Sequence, residues 1–444
     1  MQTIFQAFGW QLIGVMLIMA SDPALPDVAA SNVIPQISVP VSHSLPYYPV
    51  IIQGHEFPSL LGASVARIRA IARHGKALEA IPFQIDKRDP NGHFELSSND
   101  VGVLDSKDEC VFMTADAGER ISPLTEHFAQ QRVVEIAIVD AKNGERKWVY
   151  LLETTADQKW VAASKDYVVY DATKDVIETD SYKIGFSTPL PFLIDKLQWR
   201  TGEANKWSPN LVDTMKIRHE GKFFGNIDFS RTQADYQSRV VAVKDGPARV
   251  IRRTLNSVRV IGYLQSPSLT IDYVTYANGF QMDTTIDFPF PLSWFFSDLD
   301  MFTTIDWNDD PSLPALRIYG ADARNGIPIN GHMTEEKARF NTSEGRLLAI
   351  ESFYGLMFVQ MEIDKNLPVS VRTYLQDDRS LADPPERIPG QFGNVGFVTS
   401  GWEKVDTSVH HLLINVLLVQ KATVEQGMGM LGHYPWRRTQ ALKQ

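Results

Sequence analysis

The sequence predicts an all-β protein, an N-terminal antiparallel β-sandwich followed by a large double-sheet domain. Three observations carry this. Apolar and polar residues alternate with a period of two through most of the chain, as in Val134, Ile136 and Ile138 against Glu135 and Ala137. Turn signals recur between these runs, among them Pro90-Asn91-Gly92, Lys142-Asn143-Gly144, Asp245-Gly246-Pro247, Ala277-Asn278-Gly279 and Arg324-Asn325-Gly326. Helical periodicity is scarce. Successive strand side chains point to opposite faces, so a period of two marks a strand with one buried face, and Asn-Gly suits tight hairpins because both residues tolerate positive φ.

The chain has 444 residues, 44% of them hydrophobic, with 43 Lys+Arg against 53 Asp+Glu and a formal charge of −10. That composition supports a packed core and excludes wholesale disorder. The acidic balance argues against nucleic acid as a partner, because such proteins present a basic face to phosphates. The single cysteine, Cys110, excludes an internal disulfide framework and a multi-cysteine metal cluster.

Residues 1–30 read as a signal peptide. Phe8–Ala20 is apolar but short for a membrane span, and Val28-Ala29-Ala30 offers small residues before Ser31. No Lys or Arg precedes Arg67, so a start further upstream is expected, with a buried apolar helix as the other reading. Export puts the protein in the periplasm, at the cell surface or outside the cell, and leaves Cys110 a buried, inert thiol. No later run is long enough for a transmembrane helix. Residues 31–58 form a proline-rich extended arm or linker, since seven prolines fall between Pro23 and Pro58 and each fixes φ and removes a donor.

The β-sandwich is expected over residues 45–158. Within it Leu60–Ile81 fits strands better than a helix, because Arg73-His74-Gly75-Lys76 suits a hairpin turn. The double-sheet domain is expected over 165–425, which holds too many strands for one small sandwich. Alternation marks Leu269–Tyr273 and Val369–Leu375, and His410–Val419 is so apolar that it reads as a central strand buried on both faces. Short helices are expected at Pro191–Trp199 and at Thr334–Phe340, the latter capped by the Thr334 hydroxyl. Residues 426–444 are left as a C-terminal tail.

Ile81-Pro82-Phe83-Gln84-Ile85-Asp86, followed by Asp105-Ser106-Lys107-Asp108-Glu109-Cys110-Val111-Phe112, resembles a pattern in secreted bacterial β-sandwich proteins. Some of those continue into a double sheet like that of galactose mutarotases and certain polysaccharide lyases. Lys244-Asp245-Gly246-Pro247-Ala248-Arg249-Val250 is similar to a recurring element of that sheet. The resemblance implies a fold more than an activity, and no catalytic residue of those families matches a position here.

Two constellations have the composition of a site. Asp86, Asp89 and Asn91, with Asp105 and Asp108 across a hairpin, supply the hard oxygens that calcium prefers. The same residues also suit solvated turns, or pairing of Asp86 and Glu109 with Arg88, Lys107, Arg67 or Arg69. Trp294, Phe295 and Trp307, interleaved with Asp298 and Asp300, suit a carbohydrate cleft or a protein interface, and equally a core between sheets. Arg252, in a basic patch with Arg249, Arg253 and Arg259, offers a fork for an acidic sugar, with cross-strand salt bridges to aspartates the favoured reading, and His219 flanks the Gly221 turn. His410 and His411 occupy neighbouring strand positions and face opposite ways. No nucleophile elbow, HExxH helix, P-loop or dinucleotide fingerprint occurs in a suitable context. The reading is an exported β-rich protein that binds a glycan or an envelope protein. A polysaccharide lyase or glycoside hydrolase on the double sheet, and a structural subunit of a surface assembly, are the alternatives.

Overall fold

The computed structural model describes residues 34–41, 47–96, 102–123, 127–128, 131–140, 143–155, 163–202 and 206–436. The signal peptide expected over 1–30 lies outside them. All the described residues belong to one compact unit.

Strands dominate, as the alternation requires. The centrepiece is a ten-stranded sheet ordered Tyr236–Asp245, Val250–Ile261, Leu269–Tyr276, Gly279–Ile286, His410–Val419, Gly355–Ile363, Leu347–Ser352, Leu316–Tyr319 and Ile327–Ile329, with Leu264–Gln265 pairing beside the second. His410–Val419 is central and buried nearly throughout. Its even positions, Leu412, Ile414, Val416 and Leu418, face a companion five-stranded sheet (Ile227–Thr232, Val212–Phe223, Phe296–Trp307, Gln391–Ser400, Ser370–Asp378) and a four-stranded sheet spanning Val168–Trp199. Its odd positions Leu417 and Val419 face the other way, into a second core shared with the N-terminal sheets.

The N-terminal sandwich has a five-stranded sheet (Gln36–Val41, Val133–Asp140, Arg146–Glu153, Ile68–His74, Ala77–Ala80) over a three-stranded one (Pro49–Gln53, Glu109–Met113, Phe83–Asp86). The turn at Gly75-Lys76 joins paired strands, His74 opposite Ala77. One pairing departs from the antiparallel expectation: Gln36–Val41 runs parallel to Val133–Asp140. It is an edge strand, which is where Pro40, lacking an N–H, is tolerated. Cys110 is fully buried, and burial pushes its thiol far above the ordinary range.

The helix expected over Pro191–Trp199 is instead the strand Ile194–Trp199. A bulge where Gly185 pairs with Lys196 and Phe186 with Ile194 leaves Asp195 as the extra residue. The buried positions then fall at 194, 197 and 199, a spacing that imitates a helix. The helix at Glu335–Phe340 is present, with Thr334 accepting from the Lys337 N–H. A second helix, Val424–His433, occupies part of the expected tail. Gly427 lets it lie against the outer face of the ten-stranded sheet, since a Cβ there would meet the Phe358 ring at 2.1 Å. Among the described residues no helix is long and apolar enough to cross a membrane.

Candidate site at the junction of the sheets

The outer face of the ten-stranded sheet meets the N-terminal sandwich through a buried ionic joint. Asp86 and Glu109 lie directly opposite on paired strands. Like charges in that arrangement repel, and two guanidiniums answer them. Arg249 donates from Nε to Asp86 at 2.7 Å and from Nη2 to Glu109 at 2.5 Å, while Arg88 donates to the other oxygen of Glu109 at 2.6 Å. The third Arg249 nitrogen reaches the Tyr276 hydroxyl at 3.0 Å. Burial raises the Glu109 carboxyl, but the fields of Arg88 and Arg249 outweigh it and hold the pKa down at about 2. Gln84 completes the joint: its Oε1 accepts from the N–H groups of Ala248 and Arg249 at 3.1 and 2.9 Å. Gly246 leaves room for that oxygen: a Cβ would stand 2.4 Å from it and displace the Gln84 amide. The segments around Gln84, Glu109 and Arg249 are thus the parts that clasp the N-terminal sandwich to the ten-stranded sheet.

Above this joint lies a cavity of about 660 Å³. Phe94, Tyr276 and Trp436 give it aromatic surface; Glu56, Arg88, Asn91, Lys107 and Gln281 give it hydrogen-bonding groups. Arg88 stacks 3.5 Å over the Phe94 ring.

From the cavity a polar row continues across the same sheet face. Arg253 grips Asp272 with two bonds of 2.7 Å. Asp272 lies directly opposite Asp283 on the next strand. Asp283 Oδ1 is 2.7 Å from His411 Nδ1. Gln281 donates to Asn415, which donates to Glu362. Facing His411 is His93, from the loop that also lines the cavity, with ring centroids 6.3 Å apart. Asp89 organises that loop: one oxygen accepts the N–H groups of Asn91 and His93 at 2.8 and 2.9 Å, and the other is 3.2 Å from His93 Nδ1. Burial raises the Asp89 carboxyl slightly, but these bonds prevail and hold it below its ordinary value.

The residues expected as calcium ligands do not converge. Asp86 serves the joint, Asp108 takes Lys87 and the N–H groups of Arg88 and Asp105, and Asp105 closes its own turn. Asp89 and Asn91 belong to the His93 loop. Among the described residues no three acidic, histidine or cysteine side chains form a metal-binding group.

The residues expected to bind ligand are also dispersed. Trp294 is 66% exposed, Phe295 is packed against Phe223 and Phe290, and Asp298 sits nearby at φ 53°. Trp307 is at the far end of the same strand, in the core. Asp300 lies within that strand opposite Glu220. Arg252 is fully buried on the inner face of the ten-stranded sheet, paired with Asp175 over the Phe186 ring. His219 contacts the Tyr236 hydroxyl, and burial lowers its pKa to about 4. Sequence reasoning missed His93 and Tyr276. It placed Arg253 in the basic patch, where the cross-strand bridge to Asp272 matches the salt-bridge reading, and passed over His411 as ordinary. The available signal was parity: Arg253, Asp272, Asp283 and His411 occupy positions of one face, opposite to the core-facing Ile271, Met282 and Leu412.

No family model and no curated protein matches the sequence. Among solved structures, an alpha-mannosidase from Enterococcus faecalis V583 is similar over 88% of this chain and 43% of its own, at 10% identity and a TM-score of 0.44. A protein in the glycosyl hydrolase family 38 from Enterococcus faecalis is similar over 88% of this chain and 45% of its own, at 10% identity and a TM-score of 0.42. The chain spans less than half the length of either protein.

Proposed function

We propose that this is an exported protein that binds a carbohydrate in the cavity between the His93 loop and the outer face of the ten-stranded sheet. One observation carries the reading: a cavity of about 660 Å³ has the edges of largely buried aromatic side chains beside polar side chains at fixed positions. That volume lies within the range of small-molecule sites, roughly 300–1,000 Å³. Aromatic rings stack on the C–H faces of sugars, and the amide and charged groups match hydroxyls. Export rests on the apolar segment near the N-terminus.

The joint beneath the cavity favours recognition over glycosidic chemistry at Glu109. A glycosidase acid needs a raised pKa, whereas Glu109 is held ionised at about 2. Titration calorimetry across a panel of soluble oligosaccharides tests the reading. Binding by the native chain, with affinity reduced about tenfold or more in Trp436→Ala, is the expected result. No heat with any glycan, or equal affinity in the variant, refutes it.

A further inference from the structure

We propose that the facing His93 and His411, which stand on the polar row beside the cavity and not in its lining, form an acid–base pair that hydrolyses an O-acyl ester on a sugar whose remainder the cavity holds. The proposal deepens the carbohydrate reading, on which it depends only for the alcohol portion of the ester.

Each imidazole is oriented by its own carboxylate. An ionised carboxylate only accepts, so the contacts of Asp89 to His93 and Asp283 to His411 place the proton on Nδ1 of both rings. Nε2 of each is then the nitrogen available for proton transfer, and neither Nε2 has a hydrogen bond among the described residues. The side chains remain accessible, at 32% exposure for His93 and 17% for His411. The contrast with His410 is instructive: it faces the opposite side and is turned inward against Asp406.

A third group lies next in the row: Arg253 holds Asp272, which pairs across the strands with the Asp283 that orients His411. Arg253 is made more basic first by its hydrogen bonds to Asp272, against the effect of burial, and then by the fields of Asp272, Asp283 and Asp89. Two of its nitrogens are fixed on Asp272. Its third, Nη1, has no bond among the described residues. It is suited to stabilise an oxyanion that develops between the rings.

The chemistry balances with water as the only co-reactant. One neutral imidazole takes a proton from water as the oxygen attacks the acyl carbon, and the carbonyl electron pair moves to oxygen, beside Arg253. When that pair returns, the bond to the sugar oxygen breaks. The second imidazole, entering protonated, gives its proton to the leaving sugar oxygen. Proton exchange with solvent resets the rings, and the products are a carboxylic acid and a free sugar hydroxyl. His93 and His411 are the catalytic residues of this scheme; Asp89 and Asp283 are positioning residues.

The test uses the full chain with p-nitrophenyl acetate, and separately with a chemically O-acetylated oligosaccharide, following acetate release. The native protein should hydrolyse both above background. His93→Asn and His411→Asn should each lower kcat by about 10²–10⁴-fold, the usual share of one acid or base. Asp283→Asn should shift the pH–rate profile as well as reduce the rate. His332→Asn, remote from the row, should leave the rate unchanged. Release no faster than background, retention of activity in either histidine variant, or an equal loss in His332→Asn overturns the proposal. The p-nitrophenyl ester contains no sugar, so its hydrolysis is informative even where the glycan-binding measurement fails.

Discussion

Replacing Arg249 by Met removes the cation that bridges Asp86, Glu109 and Tyr276 while keeping a side chain of comparable length. Arg249 is 1% exposed, and its three nitrogens all donate within the joint. Removing one partner of a buried ion pair costs about 3–5 kcal/mol. Arg88 still holds Glu109, and Lys244 still reaches Asp86 at 3.1 Å, so the lower end, about 3 kcal/mol, applies. The Glu109 titration leads to a similar figure. Its folded pKa of about 2 against 4.5 is worth about 3 kcal/mol at neutral pH, shared between Arg88 and Arg249. A depressed folded pKa stabilises above the unfolded value and loses that contribution as pH falls toward the folded one. The variant's deficit should therefore be largest at pH 7 and shrink below pH 4.5. Urea unfolding at pH 7 and pH 3.5, with Arg249→Lys alongside, measures it; the lysine variant should fall between the other two. A loss below about 1 kcal/mol at pH 7, or the same deficit at both pH values, would refute the reasoning.

Other consequences are open to measurement. Asp306 is buried beside Lys216, and burial, opposed by that lysine, raises its carboxyl to about 6 against a model-compound 3.8. A raised acid favours the folded state at low pH and loses that advantage as pH rises from about 4 through 6. The stability difference between the native chain and Asp306→Asn should therefore fall across that window and be flat above it; a difference that rises contradicts the assignment. Gly427→Ala places a methyl against the Phe358 ring and should lower stability by about 1–3 kcal/mol; an unchanged urea midpoint would show that the helix moves freely. Phe224, 62% exposed, adopts φ 48°, where Asn is more at ease. Phe224→Asn should raise stability by about 0.5 kcal/mol, and a drop would mean that its tilted contact with the Phe223 ring outweighs the strain.

Much of the layering was legible because burial leaves a period in the sequence. His410–Val419 was readable as a central strand since apolar residues at both parities mean two covered faces. Ile194–Trp199 was not, because one bulged residue at Asp195 changes the spacing. Helix Val424–His433 contains Gly427, Gly429 and Gly432, which mask it by propensity, although Gly427 is there for packing. The site was less legible for a different reason. Composition singled out Trp307 and Arg252, yet aromatic and cationic residues serve a core and a cleft equally well. Asp86 and Glu109 stood out, but their partner Arg249 is 163 positions from Asp86, and His93 meets His411 only across the junction. Strand parity assigns a face; what covers that face is set by the other half of the chain.

The ionic joint has a consequence for how the chain matures. Without Arg249, the amino-terminal sandwich holds two adjacent acids, Asp86 and Glu109, with Arg88, among the described residues, as the one guanidinium of its own on them. A chain ending before Arg249 is expected to keep those acids hydrated and to leave uncovered the apolar face that packs on Ile251, Val274 and Phe358.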